Sequence, residues 1–259
     1  MCGIFGYLGQ KTNASEIVFE GLKRLDYRGY DSWGIAVQEK EKLTVEKQTG
    51  KLSDVSHTSL AVNRQSSIAI GHTRWATTGG VTLANAHPHY STDKSFVLAQ
   101  NGIVENFQEL KSMLKKKGYK FTSETDTEVI VRLIEDKQKK TNDLEQAIRE
   151  AFGELAGRNT IILLTNDGQI FAARNGSPLV LGINDKTQDI YLSSDTLSFA
   201  PYANTCLVIE NGQMVHVGKP VIARNIKGDE AVPSMKLTEI KTGKHLPYKL
   251  EKVTITNHT

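Results

Sequence analysis

Met1-Cys2-Gly3-Ile4-Phe5-Gly6-Tyr7-Leu8 opens the chain and reads as a short buried strand whose glycines permit close backbone approach. The run also places a thiol one residue from the terminus. Taken alone, Cys2 is a small buried hydrophobe of the first strand. A second reading follows if Met1 is removed. A thiol with a pKa of about 8.5 and an α-amine with one of about 7.7 to 8.0 then belong to one residue, and the amine can take the thiol proton without any histidine.

Outward from this strand, apolar periodicity alternates between two and about 3.6, which predicts mixed strands and helices without a disordered linker. Ala14, Ile17, Val18, Leu22 and Leu25 recur at helical spacing behind Thr12-Asn13, and strands are expected at 33–37, 43–48 and 67–71. Thr73 to Asp93, with Gly79-Gly80 and few periodic apolar positions, reads as a long loop, and loops of that length are usually functional. A strand at 96–100 precedes helices from Asn106, with Gly118 past its end, from Thr125, where Thr125-x-x-Glu128 is a capping box, and over 142–155.

Short apolar runs then follow at 160–165, 169–174, 179–183, 190–193, 206–210 and 214–217. The hairpin-type turn signals Asn166-Asp167-Gly168, Asn184-Asp185 and Asn211-Gly212 separate them. From about Val221 the pattern weakens, and Lys236 to Thr259 is polar, basic and without clear period.

With 259 residues, 39% hydrophobic and 24% charged, the chain carries enough apolar side chain for a large core and is neither disordered nor fibrous. Thirty-two Lys plus Arg against 29 Asp plus Glu leave +3, too small a surplus to imply a nucleic-acid or membrane partner. Two cysteines, Cys2 and Cys206, make no disulfide framework, and no apolar run reaches the ~20 residues that span a bilayer, so the cytoplasm is the expected compartment.

Several constellations carry potential chemistry. Asn101-Gly102 is a plain hairpin signal on its face, yet a side-chain amide and a backbone N–H at the end of a strand also make a good oxyanion hole. Arg74, at the start of the long loop, is either a surface charge or a fork for a carboxylate, with Trp75 as a pocket wall. Asp126 is either helix-start electrostatics or the partner of a substrate ammonium. Arg74 and Asp126 together suit the two ends of a free α-amino acid. His72, His87 and His89 with Cys2 suggest zinc only weakly, since there is no His-Glu-x-x-His helix and no Cys-x-x-Cys, and no metal or cofactor is expected.

These residues lie within a set of motifs that resembles the class II glutamine amidotransferase domain. The set comprises Met1 to Gly6, Arg24-Leu25-Asp26-Tyr27-Arg28-Gly29-Tyr30-Asp31-Ser32, Gly71 to Thr77, Asn85-Ala86-His87-Pro88-His89, Asn101 to Asn106 and Ser123 to Glu128, over residues 1 to about 215. The Tyr27 to Ser32 run favours the branch that aminates fructose 6-phosphate to glucosamine 6-phosphate over relatives in purine and asparagine synthesis. The resemblance implies an α+β fold, the N-terminal-nucleophile hydrolase sandwich: two stacked, mostly antiparallel sheets between helical layers (αββα).

It further implies Cys2 as nucleophile with its freed amine as base, Asn101 and Gly102 as oxyanion hole, Arg74 and Thr77 at the glutamine carboxylate and Asp126 at the α-ammonium, with Trp75 and Arg28 near the site. The expected organisation is a glutaminase domain over 1–220 and a C-terminal extension or linker over 221–259. The substrate is L-glutamine, and the ammonia passes to a sugar-phosphate isomerase domain or partner chain that this sequence lacks. Gln100, Thr78 and Trp33 depart from the family's usual His, His and small residue. A glutamine-binding regulatory module with little or no turnover is the alternative reading.

Overall fold

The computed structural model of the chain describes residues 2–62, 65–225 and 228–253. Its strands are β1 (Gly3–Leu8), β2 (Ser32–Glu39), β3 (Lys42–Thr49), β4 (Ile68–Arg74), β5 (His89–Tyr90), β6 (Phe96–Gly102) and β7 (Asn159–Thr165). They continue with β8 (Ile170–Asn175), β9 (Val180–Ile183), β10 (Ile190–Ser193), β11 (Thr205–Val208), β12 (Gln213–Asn225), β13 (Gly228–Glu239) and β14 (Glu251–Lys252). The helices are α1 (Ala14–Lys23), α2 (Phe107–Lys116), α3 (Asp126–Thr141) and α4 (Leu144–Gly153).

The strands form two sheets, one in the order β14-β11-β9-β10-β1-β4-β2-β3 and one in the order β13-β12-β8-β7-β6-β5. Neighbouring strands pair antiparallel throughout. The central strands are buried on both faces, which is why they read as continuous apolar runs rather than as alternation. In β1, Ile4 and Leu8 join Ile68 and Ile70 of β4 and Val97, Ile162 and Val215 of the other sheet in a core between the sheets. Phe5 and Tyr7 turn to the opposite face, against Val18, Phe19 and Leu22 of α1. Likewise Phe96, Leu98, Ile161 and Leu163 pack beneath α2, α3 and α4. The result is the expected αββα sandwich. Gly6 is a point of close approach between the two sheets, because a Cβ there would lie 2.7 Å from Ile162 Cδ1 of the facing sheet.

Several local expectations change in the structure. Asn211-Gly212 does not close a hairpin; it carries the chain from β11 in one sheet to β12 in the other, and the positive φ of Gly212 (79°) serves that turn equally well. In the capping box, Thr125 Oγ1 accepts the Glu128 N–H at 3.3 Å. The reciprocal half is absent. Glu128 instead accepts from Thr122 N at 2.9 Å and Ser123 N at 2.6 Å and pairs with Arg132 at 2.9 Å. The stretch beyond Val221 that lacks a legible period contains most of a long hairpin. In it β12 faces β13 with a register shift between Val217 and Pro220, and Pro220 stands opposite Pro233. Prolines inside strands obscure the signal, and bulges and edge strands such as β13 are where they are tolerated. Leu237 and Ile240 are buried in the two cores flanking the second sheet, and β14 adds to the first. Residues 254–259 lie outside the described residues.

Candidate active site

Cys2 stands immediately before β1, and the pairing of Gly3 with Thr73 brings the exit of β4, Arg74 and Trp75, alongside it. The Trp75 N–H donates to Cys2 Sγ at 3.2 Å, and the thiol points back at the Trp75 carbonyl at 3.5 Å. From the facing sheet, the end of β6 brings Asn101, whose Nδ2 donates to the Cys2 carbonyl at 3.0 Å. Asn101 and Gly102 pair with Thr160 and Asn159 in a ladder, so this Asn-Gly is not a hairpin turn. Gly102 has φ of +132°, and a Cβ there would lie 1.9 Å from the Arg158 carbonyl oxygen, so the position admits only glycine.

Arg74 is 3% exposed, and its guanidinium donates to the carbonyls of Gly80 at 3.0 Å, Thr78 at 2.6 Å and Gly79 at 3.2 Å. The loop is in turn tied to the segment before α3. Glu124 Oε2 accepts from Gly80 N at 3.2 Å and Asn85 Nδ2 at 2.9 Å, while Asn85 Oδ1 accepts from Glu124 N at 2.9 Å. Asp126, in the first turn of α3, is 4% exposed and accepts the Val104 N–H at 2.8 Å. Cys2, Arg74, Trp75, Thr77, Gly102 and Asp126 line one narrow cleft. Trp75 forms its exposed wall, 5.3 Å from the Tyr30 ring. Larger hollows lie elsewhere on the surface, without the thiol.

Burial shapes the electrostatics here. It pushes the Cys2 thiol up, opposed by the Trp75 N–H and the positive charge of Arg74. It raises the Asp126 carboxyl, against the Val104 N–H that lowers it, and lowers Arg74. His72 falls to about 3 and His87 and His89 fall well below the ordinary imidazole value, all through burial first. The Cys2 thiol, the Arg74 guanidinium and the Asp126 carboxyl therefore share one space partly withdrawn from water, where electrostatic interactions are stronger than in bulk solvent.

Arg28 stands apart from the cleft. It sits on the helical turn Asp26–Arg28 and pairs with Asp195 at 3.1 Å and with the Tyr27 hydroxyl at 3.1 Å. The histidines are engaged in hydrogen bonds: His72 Nε2 lies 2.9 Å from the Gln100 carbonyl and 3.1 Å from Asn101 Oδ1, His87 Nε2 meets Thr127 Oγ1 at 2.9 Å, and His89 Nε2 meets Thr125 Oγ1 at 3.1 Å. Among the described residues no group of three His, Cys, Asp or Glu side chains is arranged to hold a metal ion.

The sequence departures are absorbed locally. Gln100 Oε1 accepts from Thr127 Oγ1 at 2.5 Å and its Nε2 donates to Asn159 Oδ1 at 2.7 Å. Thr78 serves Arg74 through its backbone carbonyl, and Trp33 is buried in the core under α1. Asp31, which the sequence reading did not single out, accepts the Ala76 N–H at 2.8 Å and so fixes the turn that carries Trp75.

Two facing antiparallel sheets between helices, with a cysteine at the head of a central strand, form the sandwich of the N-terminal-nucleophile hydrolases, here in the class II glutamine amidotransferase form. Residues 72–200 match the family described as "Glutamine amidotransferase domain", and the chain belongs to that family. Among curated relatives, the glutamine–fructose-6-phosphate aminotransferase (isomerizing) of Bacteroides thetaiotaomicron is 41% identical over 250 residues, covering 94% of this chain and 40% of that protein. The enzyme of the same name from Thermus thermophilus is 43% identical over 218 residues, covering 84% of this chain and 35% of that protein. The chain thus spans well under half the length of these relatives. Among solved structures, the glutamine phosphoribosylpyrophosphate amidotransferase of B. subtilis, complexed with ADP and GMP, superposes with a TM-score of 0.74 at 27% identity, covering 93% of this chain and 50% of that one. No helix among the described residues is long and apolar enough to cross a membrane.

Proposed function

We propose that this domain hydrolyses the side-chain amide of L-glutamine through a Cys2 thioester. The glutamine α-carboxylate meets Arg74 and Thr77, and its α-ammonium meets Asp126. After removal of Met1, the freed α-amine takes the Cys2 thiol proton and the thiolate attacks the carboxamide carbon. Asn101 Nδ2 and the Gly102 N–H stabilise the oxyanion. Ammonia departs with the proton held by the amine. A water activated by that amine then cleaves the thioester and releases glutamate.

The observation that carries this reading is the convergence on one cleft of the Cys2 thiol, under the Trp75 N–H, with Gly102, Arg74 and Asp126, while Asn101 from the opposite sheet donates to the Cys2 carbonyl. The names of its relatives support fructose 6-phosphate, held on a sugar-phosphate isomerase domain or partner chain, as the ammonia acceptor, and glucosamine 6-phosphate as the product. Both cysteines are free, as suits a reducing cytoplasm. Glutamate release by the Cys2→Ala variant tests the mechanism: it falls to background if Cys2 is the nucleophile, and undiminished release overturns it.

A further inference from the structure

Asn101 offers Nδ2 to the nucleophile's side of the cleft only while its Oδ1 points the other way, and the residue that holds Oδ1 is His72. His72 is 0% exposed in the middle of β4, and its Nε2 faces two oxygens, the Gln100 carbonyl at 2.9 Å and Asn101 Oδ1 at 3.1 Å. Two acceptors require a donor, so Nε2 carries the hydrogen. His72 Nδ1 is buried with no partner, which suits a bare lone pair and leaves no acceptor for a second proton.

The neighbouring ring is consistent with this arrangement. His87 lies 4.3 Å from His72 between ring centroids, and its Nδ1 receives the Gln100 N–H at 3.5 Å, so its own hydrogen is on Nε2. That hydrogen meets Thr127 Oγ1 at 2.9 Å, whose hydroxyl hydrogen goes to Gln100 Oε1 at 2.5 Å. One set of proton positions accounts for every hydrogen bond in the group. It joins the strand that carries Asn101 to the helix that carries Asp126.

We infer that His72, as the neutral Nε2–H tautomer, is a positioning residue that sets the orientation of the Asn101 amide and so assembles the oxyanion hole. The inference rests on the glutaminase reading above. Without the His72 donor, the Asn101 amide is free to rotate or to flip its oxygen toward Cys2, where an acceptor repels the developing oxyanion. The loss therefore falls on the transition state and not on glutamine binding, which Arg74 and Asp126 supply.

The test compares wild type, His72→Leu and His72→Gln in glutamine hydrolysis, together with the rate at which iodoacetamide alkylates Cys2. Alkylation is a displacement at carbon that needs no oxyanion hole, so it reports whether the thiol and the surrounding fold are intact. His72→Leu is expected to lower kcat roughly tenfold to a hundredfold, with KM within about threefold and alkylation unchanged. His72→Gln, whose amide N–H reaches toward the same oxygen, recovers at least a third of the wild-type kcat. The inference is overturned if His72→Leu keeps the wild-type kcat, if kcat and alkylation fall in parallel, or if His72→Gln is no better than His72→Leu. Absence of turnover in the wild type would instead overturn the glutaminase reading itself.

Discussion

Replacing Asp126 with Asn separates the two roles its position allows. The carboxylate is 4% exposed, accepts the Val104 N–H at 2.8 Å and, among the described residues, forms no ion pair. Burial raises its carboxyl above the ordinary value and outweighs the backbone N–H groups that lower it. A raised carboxyl adds stability below its unfolded pKa of about 3.9 and loses that contribution as pH rises through the folded value, so at neutral pH the fold carries a penalised anion.

Asn keeps an acceptor oxygen for Val104 and removes the charge. Asp126→Asn is therefore expected to gain about 0.5–1.5 kcal/mol, or about 1–6 °C in Tm for a chain of this size. Glutamine binding moves the other way. Breaking a buried charge pair on one side costs about 3–5 kcal/mol, so KM rises by roughly two to three and a half decades. Thermal melting and glutaminase saturation curves on the same preparations read both quantities. If Asp126 were only a charge at a helix start, its loss would lower stability by about 0.3–1 kcal/mol and leave KM alone, and that pair of results refutes the clamp.

Arg74→Lys replaces a fork held by three successive loop carbonyls with a point charge, and glutamine KM should rise roughly tenfold to a hundredfold with kcat within about threefold. Gly102→Ala meets the Arg158 carbonyl at a φ of +132°, so urea denaturation should show a loss of about 2–4 kcal/mol alongside lost turnover. Trp33 is 1% exposed and its indole Nε1 is buried without a partner. Trp33→Phe should consequently stay within about 1.5 kcal/mol of wild type with unchanged KM, and a KM shifted more than about threefold would tie Trp33 to the site. Because burial raises the Cys2 thiol, its alkylation by iodoacetamide should climb with pH to a midpoint above about 8.5; a plateau already reached at pH 7 contradicts this.

Signals local in sequence were legible. The run Gly3 to Leu8, the helix behind Thr125 and the β7–β8 turn at Asn166-Asp167-Gly168 each carry their own period or turn chemistry, and the structure has them at those places. Asn101-Gly102 was ambiguous because what separates a hairpin from a ladder is the partner strand, β7, which begins 57 positions after Gly102. Asp31 was not singled out, and His72 was weighed only as a weak zinc ligand, for the same reason. Their roles depend on Ala76 and Asn101, which only the folded sheets bring within reach. Ahead of α1, the Asn13 side chain makes no cap bond and instead donates to Glu16 Oε2 at 2.8 Å. The β12–β13 hairpin was hidden by prolines that a two-stranded edge tolerates and a central strand would not.

In the proposed reaction Cys2, with its α-amine free, carries the γ-glutamyl group. Intact mass spectrometry of the protein, acid-quenched during glutamine turnover, tests it most directly. The expected result is a chain lacking Met1 and, in part of the population, heavier by one γ-glutamyl group attached at Cys2, an adduct absent from Cys2→Ala. A chain that turns glutamine over while retaining Met1, or one whose γ-glutamyl adduct survives in Cys2→Ala, would contradict it.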